Sequence, residues 1–162
     1  LFEVNFWGAV HCLRAVVPHM RRRKQGLIIN VSSVAGRIAS PYNAIYCATK
    51  AALISLSDAL RLELAEDGIR VLTVYPGFTA TEFGRNAIKE IELPASRVFR
   101  GTPASAVARV IVKAARRGQR EAFVTFGDGM AVGLKNLAPR LVDWGLRRLW
   151  LASRRPRPLA GK

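Results

Sequence analysis

Two short apolar runs, separated by one long amphipathic segment, constrain the fold of this chain most strongly. The first run is Leu27–Val31 and the second is Ile69–Tyr75. Between them, residues 44–65 carry apolar side chains at helical spacing and end before Gly68. Strands buried on both faces read as continuous apolar runs, and parallel strands need a long crossover connection. The sequence therefore predicts a β-α-β unit within a parallel α/β sheet.

Weaker patterns extend this unit in both directions. Apolar residues at helical spacing predict a helix over about residues 1–23. Pro18 is expected to bend this helix or to mark a local irregularity, and Gly26 is expected to stop it. Beyond the second strand, Thr102–Pro103 is typical of an N-cap followed by proline at the first helical position. A short apolar run at 122–125 predicts a third strand.

The chain divides into three parts by pattern. We expect one α/β catalytic unit over residues 1–129, an amphipathic helical extension over 130–152 that Pro139 interrupts, and a basic, disordered tail over 153–162. Residues 78–101 lack firm periodicity, and a connection of that length after a strand is usually functional or mobile.

The formal net charge of +15 raises the question of an anionic partner. Two basic clusters, at 21–24 and 116–120, fall at predicted helix ends, where cations interact favourably with the helix dipole. No basic strand is interleaved with aromatic residues, and no zinc-ligand spacing occurs. We therefore expect no nucleic-acid binding, and His11 and His19 have no partner at the spacing of metal ligands.

Tyr46 and Lys50 are the clearest candidates for chemistry. Residues four apart on a helix lie on one face, about one turn from each other. An ammonium beside a phenol stabilises the phenolate, so we expect Lys50 to lower the pKa of Tyr46 from its usual value near 10. A tyrosine tuned in this way exchanges a proton with a carbonyl or alcohol oxygen. The spacing is common by chance, so its context has to support it.

That context is the carboxyl edge of the predicted sheet. Ser33 follows the first strand, Tyr46 and Lys50 open the next helix, and residues 76–81 follow the second strand. In open α/β sheets, ligands bind beyond the carboxyl ends of the strands. Three separate features thus converge on one place.

These motifs resemble the C-terminal part of a classical short-chain dehydrogenase/reductase. The resemblance covers about the first half of the chain, and its pieces occur in the family's order: Val4–Gly8, Gly26–Ser33, Tyr46–Lys50 and Pro76–Thr81. It implies a Rossmann-like, doubly wound parallel sheet of three layers, of which this chain is the C-terminal portion.

The resemblance also implies a role for each matching residue. Tyr46 corresponds to the general acid/base and Ser33 to the serine that hydrogen-bonds the substrate oxygen, with Ser32 as the alternative if the loop register differs. Lys50 corresponds to the lysine that lowers the pKa of the phenol and holds the nicotinamide ribose. Asn5 corresponds to the asparagine that helps hold a water between the lysine and solvent.

The segment after the second strand is expected to contact both cofactor and substrate. By resemblance, the cofactor-binding residues there are Pro76, Gly77, Thr79 and Thr81. Phe78, an apolar residue of the same segment, is expected to contact the substrate. Residues 78–101 should supply much of the substrate wall, which favours a hydrophobic alcohol or carbonyl; the apolar candidates are Phe78, Phe83, Ile88, Ile91, Leu93, Val98 and Phe99.

The cofactor is expected to be NAD or NADP, and this sequence does not decide between them. The family opens with a glycine-rich turn that cradles the cofactor pyrophosphate, and no G-x-G-x-x-G pattern occurs here. The chain begins at Leu1 within an amphipathic pattern, so we expect a fragment that binds the dinucleotide weakly by itself.

Together these features predict an NAD(P)-dependent oxidoreductase that interconverts an alcohol and a carbonyl; the alternative is an inactive binding or scaffold protein of the same fold. A homodimer or homotetramer is expected by resemblance. We expect a cytoplasmic protein. Residues 130–152 have the pattern of a basic amphipathic helix, which fits either a peripheral membrane contact or, our preference, docking on the domain or another subunit.

Overall fold

A computed structural model describes residues 1–41, 43–80 and 101–153 of the chain. These residues form five helices, α1–α5, and five strands, β1–β5. In chain order the elements are a π-helical turn Glu3–Trp7, α1 Gly8–Arg23, β1 Gly26–Val31, a 3-10 turn Val34–Gly36, α2 Ala44–Glu63, β2 Ile69–Tyr75, β3 Thr79–Ala80, β4 Thr102–Pro103, α3 Ala104–Arg116, β5 Glu121–Phe123, α4 Phe126–Leu137 and α5 Pro139–Ser153.

The central sheet is parallel, as predicted. Its three described strands lie in the order β1-β2-β5, with Ile28 opposite Val71 and Thr73 opposite Glu121. The crossover from β1 to β2 runs through α2, which confirms the β-α-β unit. A second, two-residue parallel pair joins β3 to β4.

Two apolar clusters place helices on both faces of this sheet. On one face, Leu13 of α1 and Leu64 after α2 pack with alternate residues of β1 and β2. On the other face, Ala114 of α3 packs against Leu72 and Val74 of β2. The predicted three-layer, Rossmann-like arrangement is therefore confirmed.

The expectation that both apolar runs are buried on both faces holds for β2 but not for β1. Leu72 and Val74 are fully buried, whereas Ile29 and Val31 are 37% and 43% exposed. β1 lies at the edge of the described sheet, and α3 covers that face mainly over β2 and β5. An apolar run in the sequence does not show which face of the resulting strand is covered by a helix.

The sequence signals for where helices begin, end and bend did not give the exact residues. Thr102–Pro103 forms β4, in which the Thr102 N–H donates to the Phe78 carbonyl at 2.8 Å. Pro103 rather than Thr102 occupies the N-cap position, so α3 starts at Ala104, one residue later than predicted. Lys24, with a φ of 49°, ends α1, and Gly26 is already the first residue of β1. Pro18 lies inside α1, and the irregular turn is the π-helical one at Glu3–Trp7.

The C-terminal helices begin earlier than expected. Thr125 caps α4 through a reciprocal pair of hydrogen bonds with Asp128, so the helix starts at Phe126 and the predicted boundary after residue 129 falls inside it. Pro139 separates α4 from α5, as predicted. No helix among residues 1–41, 43–80 and 101–153 is long and apolar enough to cross a membrane.

Candidate active site

Backbone hydrogen bonds continue beyond the ends of β1 and β2 and bring the two following loops together. The Ser32 N–H donates to the Val74 carbonyl at 2.9 Å, and the Val34 N–H donates to the Pro76 carbonyl at 3.0 Å. Ser33 between them is held from both sides. Its Oγ accepts from the Ala35 N–H at 3.1 Å and donates to the Pro76 carbonyl at 3.3 Å.

Tyr46, in the first turn of α2, meets this loop. A side-chain hydrogen bond joins it to Ser33 and acts to lower the pKa of the phenol. Burial acts in the opposite direction and is the larger effect, so the pKa of Tyr46 lies above its ordinary value of 10.0. Tyr46 is therefore a protonated phenol near neutral pH, held against a serine hydroxyl.

Lys50 lies over the ring of Tyr46, one turn further along α2. Its Nζ is 5.8 Å from the ring centroid and donates to the Val31 carbonyl at 3.1 Å. Burial lowers the pKa of Lys50 itself. The expected lowering of the Tyr46 pKa by Lys50 is wrong for this structure, because burial dominates and Ser33 is the partner that opposes it.

The two adjacent serines have different partners. Ser32 is 3% exposed, and its Oγ donates to the Lys50 carbonyl at 2.9 Å, so it fastens the loop to the backbone of α2. Ser33 is the one that reaches the phenol of Tyr46. The geometry favours Ser33 over the alternative register.

Asn5 joins the π-helical turn to the start of α2. Its Nδ2 donates to Thr49 Oγ1 at 3.2 Å, and that hydroxyl donates to the Tyr46 carbonyl at 2.7 Å. Thr49 is fully buried and directly precedes Lys50. Asn5 thus supports the turn that carries the Tyr46–Lys50 pair, while its role in holding a water stays a prediction.

The segment after β2 lies close to α4 at Gly77. A Cβ on Gly77 would collide with the Asp128 carboxylate, so only glycine fits there without a shift. Thr79 Oγ1 donates to the Gly77 carbonyl at 3.3 Å, and Phe78 is 43% exposed. Thr81 and the wall candidates between residues 83 and 99 lie outside the described residues.

Gly36 is a site residue that sequence reasoning missed. A Cβ there would lie 2.9 Å from the Lys50 carbonyl carbon and 2.7 Å from Ile54 Cδ1. Glycine therefore lets the loop that carries Ser33 approach the helix that carries Tyr46 and Lys50. Its position three residues after Ser33 was visible, but the close approach was not.

A polar network behind the site was also missed. Arg37 donates to the Tyr75 hydroxyl and to Glu121 Oε1, each at 3.0 Å, and the Tyr75 hydroxyl donates to the same carboxylate at 2.5 Å. Arg37 follows the Ser33 loop, and Tyr75 directly precedes Pro76. Arg37 and Glu121 are 84 residues apart in sequence, so no local pattern predicts the contact.

The donors at this edge fit the nicotinamide end of a dinucleotide. Val31 takes one of the three ammonium donors of Lys50, and the Tyr46 hydroxyl lies on the same helix face. Gly77 and the Thr79 hydroxyl follow β2 at the neighbouring strand end. Such a set suits ribose hydroxyls and a carboxamide, both of which hydrogen-bond to hydroxyl, ammonium and backbone groups.

The chain is similar to known sequences of one family. Residues 1–92 match the family model described as short chain dehydrogenase. The chain is 31% identical over 150 residues to a dehydrogenase/reductase SDR family protein 7-like from Anopheles gambiae, covering 90% of this chain and 47% of that protein. It is 34% identical over 164 residues to 11-beta-hydroxysteroid dehydrogenase A from Arachis hypogaea, covering 94% and 46%. The chain thus spans about half the length of these curated relatives.

Solved structures share the fold of this chain. A short chain dehydrogenase from Burkholderia cenocepacia J2315 in complex with NADP superposes with a TM-score of 0.76 at 26% identity, over 90% of this chain and 56% of that one. A short chain dehydrogenase/reductase from Burkholderia phymatum in complex with NAD gives 0.73 at 25% identity, over 87% and 58%.

Proposed function

This chain belongs to the short-chain dehydrogenase/reductase family, and from that membership we propose that it carries the proton-transfer centre of an NAD(P)-dependent oxidoreductase acting on an alcohol/carbonyl pair. The observation that carries the proposal is the hydrogen bond between Ser33 and Tyr46, with Lys50 over the phenol ring. A scaffold protein of the same fold needs none of these three side chains.

In the proposed reaction, these side chains handle the proton and the substrate oxygen. Tyr46 donates its phenol proton to the carbonyl oxygen during reduction and takes it back during alcohol oxidation. Ser33 donates a hydrogen bond to the same oxygen and fixes its position. Lys50 holds ribose hydroxyls and offsets the negative charge that develops on the phenol oxygen. A bound nicotinamide supplies or accepts the hydride.

The raised pKa of Tyr46 favours one half of this exchange. A phenol that is protonated near neutral pH is the form that donates to a carbonyl oxygen. The half-exposed Phe78 beside the site supports a hydrophobic substrate. Both NADP and NAD occur in the similar solved structures, so either cofactor is compatible with the proposal.

The test compares three variants of the full-length protein. Tyr46→Phe and Ser33→Ala should each lower kcat by about 10²- to 10⁴-fold, because general acid/base catalysis contributes that much, with cofactor affinity largely retained. Ser32→Ala is the matched control: it removes a hydroxyl one residue away that faces the α2 backbone. Ser32→Ala should lower the free energy of unfolding but leave kcat close to that of the wild type.

The readout is oxidation of reduced cofactor with a panel of hydrophobic ketones and aldehydes, alongside cofactor titration. Near-normal turnover of Tyr46→Phe would overturn the assignment of the acid/base. A folded wild-type protein that binds cofactor but turns over no carbonyl or alcohol would favour the scaffold function instead. A homodimer or homotetramer and a cytoplasmic location remain part of the proposal, to be tested by light scattering and fractionation.

A further inference from the structure

Helix α4 presents an apolar stripe to solvent. Phe126 and Leu137 are 84% and 87% exposed, and Met130 and Leu134 lie between them at helical spacing. These positions fall within one side of a helix of 3.6 residues per turn. A soluble surface rarely carries so many large apolar side chains in one stripe, which marks it as an interaction surface.

Helix α5 has an exposed side where apolar and cationic residues alternate. Leu141, Trp144 and Leu151 are all more than half exposed. The Arg148 guanidinium lies 4.7 Å from the centroid of the Trp144 ring, so a cation and an aromatic ring share this side. Arg140 and Arg147 are also exposed on α5; its acid Asp143 pairs with Lys135 of α4.

The outward orientation of these residues is fixed by the fold. Val132, on the opposite side of α4, is 6% exposed, and Gly129 lies against the ring of Phe123 in β5. The ion pair Lys135–Asp143 joins α4 to α5. The two helices are thus docked through their inner sides, and within the described part of the chain their outer sides are uncovered.

We propose that the outer sides of α4 and α5 dock on an anionic membrane surface. Apolar side chains of this kind insert at the acyl boundary, while arginines and a tryptophan lie at headgroup level. A second copy of the chain is a poorer occupant, since a symmetric contact through α5 brings two sets of the same three arginines into one interface. The chain's charge of +15 adds long-range attraction to anionic lipid. This inference goes beyond the proposed oxidoreductase function and does not depend on it.

The experiment is flotation of the full-length protein with lipid vesicles, which separates bound protein from aggregates because aggregated protein does not float. We expect flotation with vesicles of phosphatidylcholine containing about one third phosphatidylserine, much less with phosphatidylcholine alone, and a decrease with added salt. Arg147→Gln with Arg148→Gln should weaken partitioning about tenfold or more. Phe126→Ser with Leu137→Ser should weaken it similarly without unfolding, because both side chains are already exposed.

Two control pairs of substitutions test whether flotation depends on the outer sides of α4 and α5 or only on the total charge and apolar surface of the protein. Arg116→Gln with Arg117→Gln makes the same charge change at two exposed residues at the end of α3, and Leu62→Ser with Val4→Ser removes apolar side chains of similar exposure. Both controls should float like wild type. Equal losses in test and control pairs, or no flotation of the wild type, would overturn the proposal. So would a dimer, seen by light scattering, that Phe126→Ser with Leu137→Ser dissociates without affecting flotation.

Discussion

At the scale of single residues, two tyrosines in this chain occupy opposite situations. Tyr46 lies at the sheet edge with a serine partner, whereas Tyr75 is fully buried and stacked on Phe123 with ring centroids 4.7 Å apart. Burial, followed by the hydrogen bond to Glu121, raises the pKa of Tyr75 to about 12. In the proposed function the first tyrosine exchanges a proton, whereas the second holds the backbone before Pro76.

Tyr75 should therefore lose its proton at higher pH than an ordinary tyrosine, and its titration should be coupled to unfolding. Its raised pKa means that its contribution to stability is complete below pH 10.0 and is lost as the pH rises through about 12. Tyr75→Phe should remove the last-titrating phenolate from the ultraviolet absorbance titration. It should also lower the free energy of unfolding by about 1 kcal/mol, because Glu121 and Arg37 lose a hydroxyl partner. An unchanged titration curve for Tyr75→Phe would contradict this.

At the scale of elements, the site depends on how closely one loop approaches one helix. The loop after β1 reaches the backbone of α2 at Gly36, and Ser32 bonds to the Lys50 carbonyl from the same side. These contacts set the distance between Ser33 and Tyr46. The spacing of the motif residues along the chain cannot set it.

Gly36→Ala should separate the loop from α2. The added methyl meets backbone atoms of α2, so we expect a loss of about 1–3 kcal/mol in the free energy of unfolding and a fall in turnover of the full-length protein. Gly133→Ala in α4 is the matched control, since a Cβ there meets nothing within 4 Å. It should stabilise by about 0.5–1 kcal/mol. Urea unfolding of both variants checks this, and similar effects at the two positions would count against the crowding argument.

At the scale of the whole molecule, ion pairs between acidic and basic side chains join elements that are far apart in this basic chain, and Asp67 is an example. Asp67 accepts from Arg21 Nε at 2.8 Å and from Lys24 Nζ at 2.9 Å, which joins the end of α1 to the turn before β2. That turn contains Gly68 with a φ of 69°. The N-terminal helix is thus fastened to the β-α-β unit at the amino edge of the sheet, opposite the site.

The contribution of Asp67 should depend on pH. Its hydrogen bonds to Lys24 and Arg21 hold the pKa of the carboxyl below 3.8, so its stabilising effect is present above that pH and is lost as the pH falls through the lower folded value. Asp67→Asn should lower Tm modestly at pH 7, and the difference from wild type should vanish in strong acid. Glu66→Gln makes the same charge change at an exposed neighbour and should leave Tm nearly unchanged at both pH values.

Apolar periodicity, together with the glycines and prolines that end each segment, was sufficient to predict β1, α2 and β2. These patterns depend only on how a local segment buries its apolar side chains. The placement of Ser33, Tyr46 and Lys50 at one edge followed from the rule that parallel strands end together. At Thr102–Pro103 the N-cap of α3 is Pro103, one residue later than predicted, and Thr102 pairs with the Phe78 carbonyl between β3 and β4. A cap signal is local in sequence, whereas this strand pairing is not.

The sequence alone determined the β-α-β unit, the family and the candidate acid/base couple, because each of these depends on patterns and motifs that are local in the chain. What depends on the folded chain is the direction of the pKa shift at Tyr46, the exposure of Ile29 and Val31, and the contact between Arg37 and Glu121. Burial and long-range contacts arise from segments far apart in sequence, and these set the electrostatic environment of a side chain. The same is true of the outer sides of α4 and α5: their composition was visible beforehand, but their exposure required the packed structure.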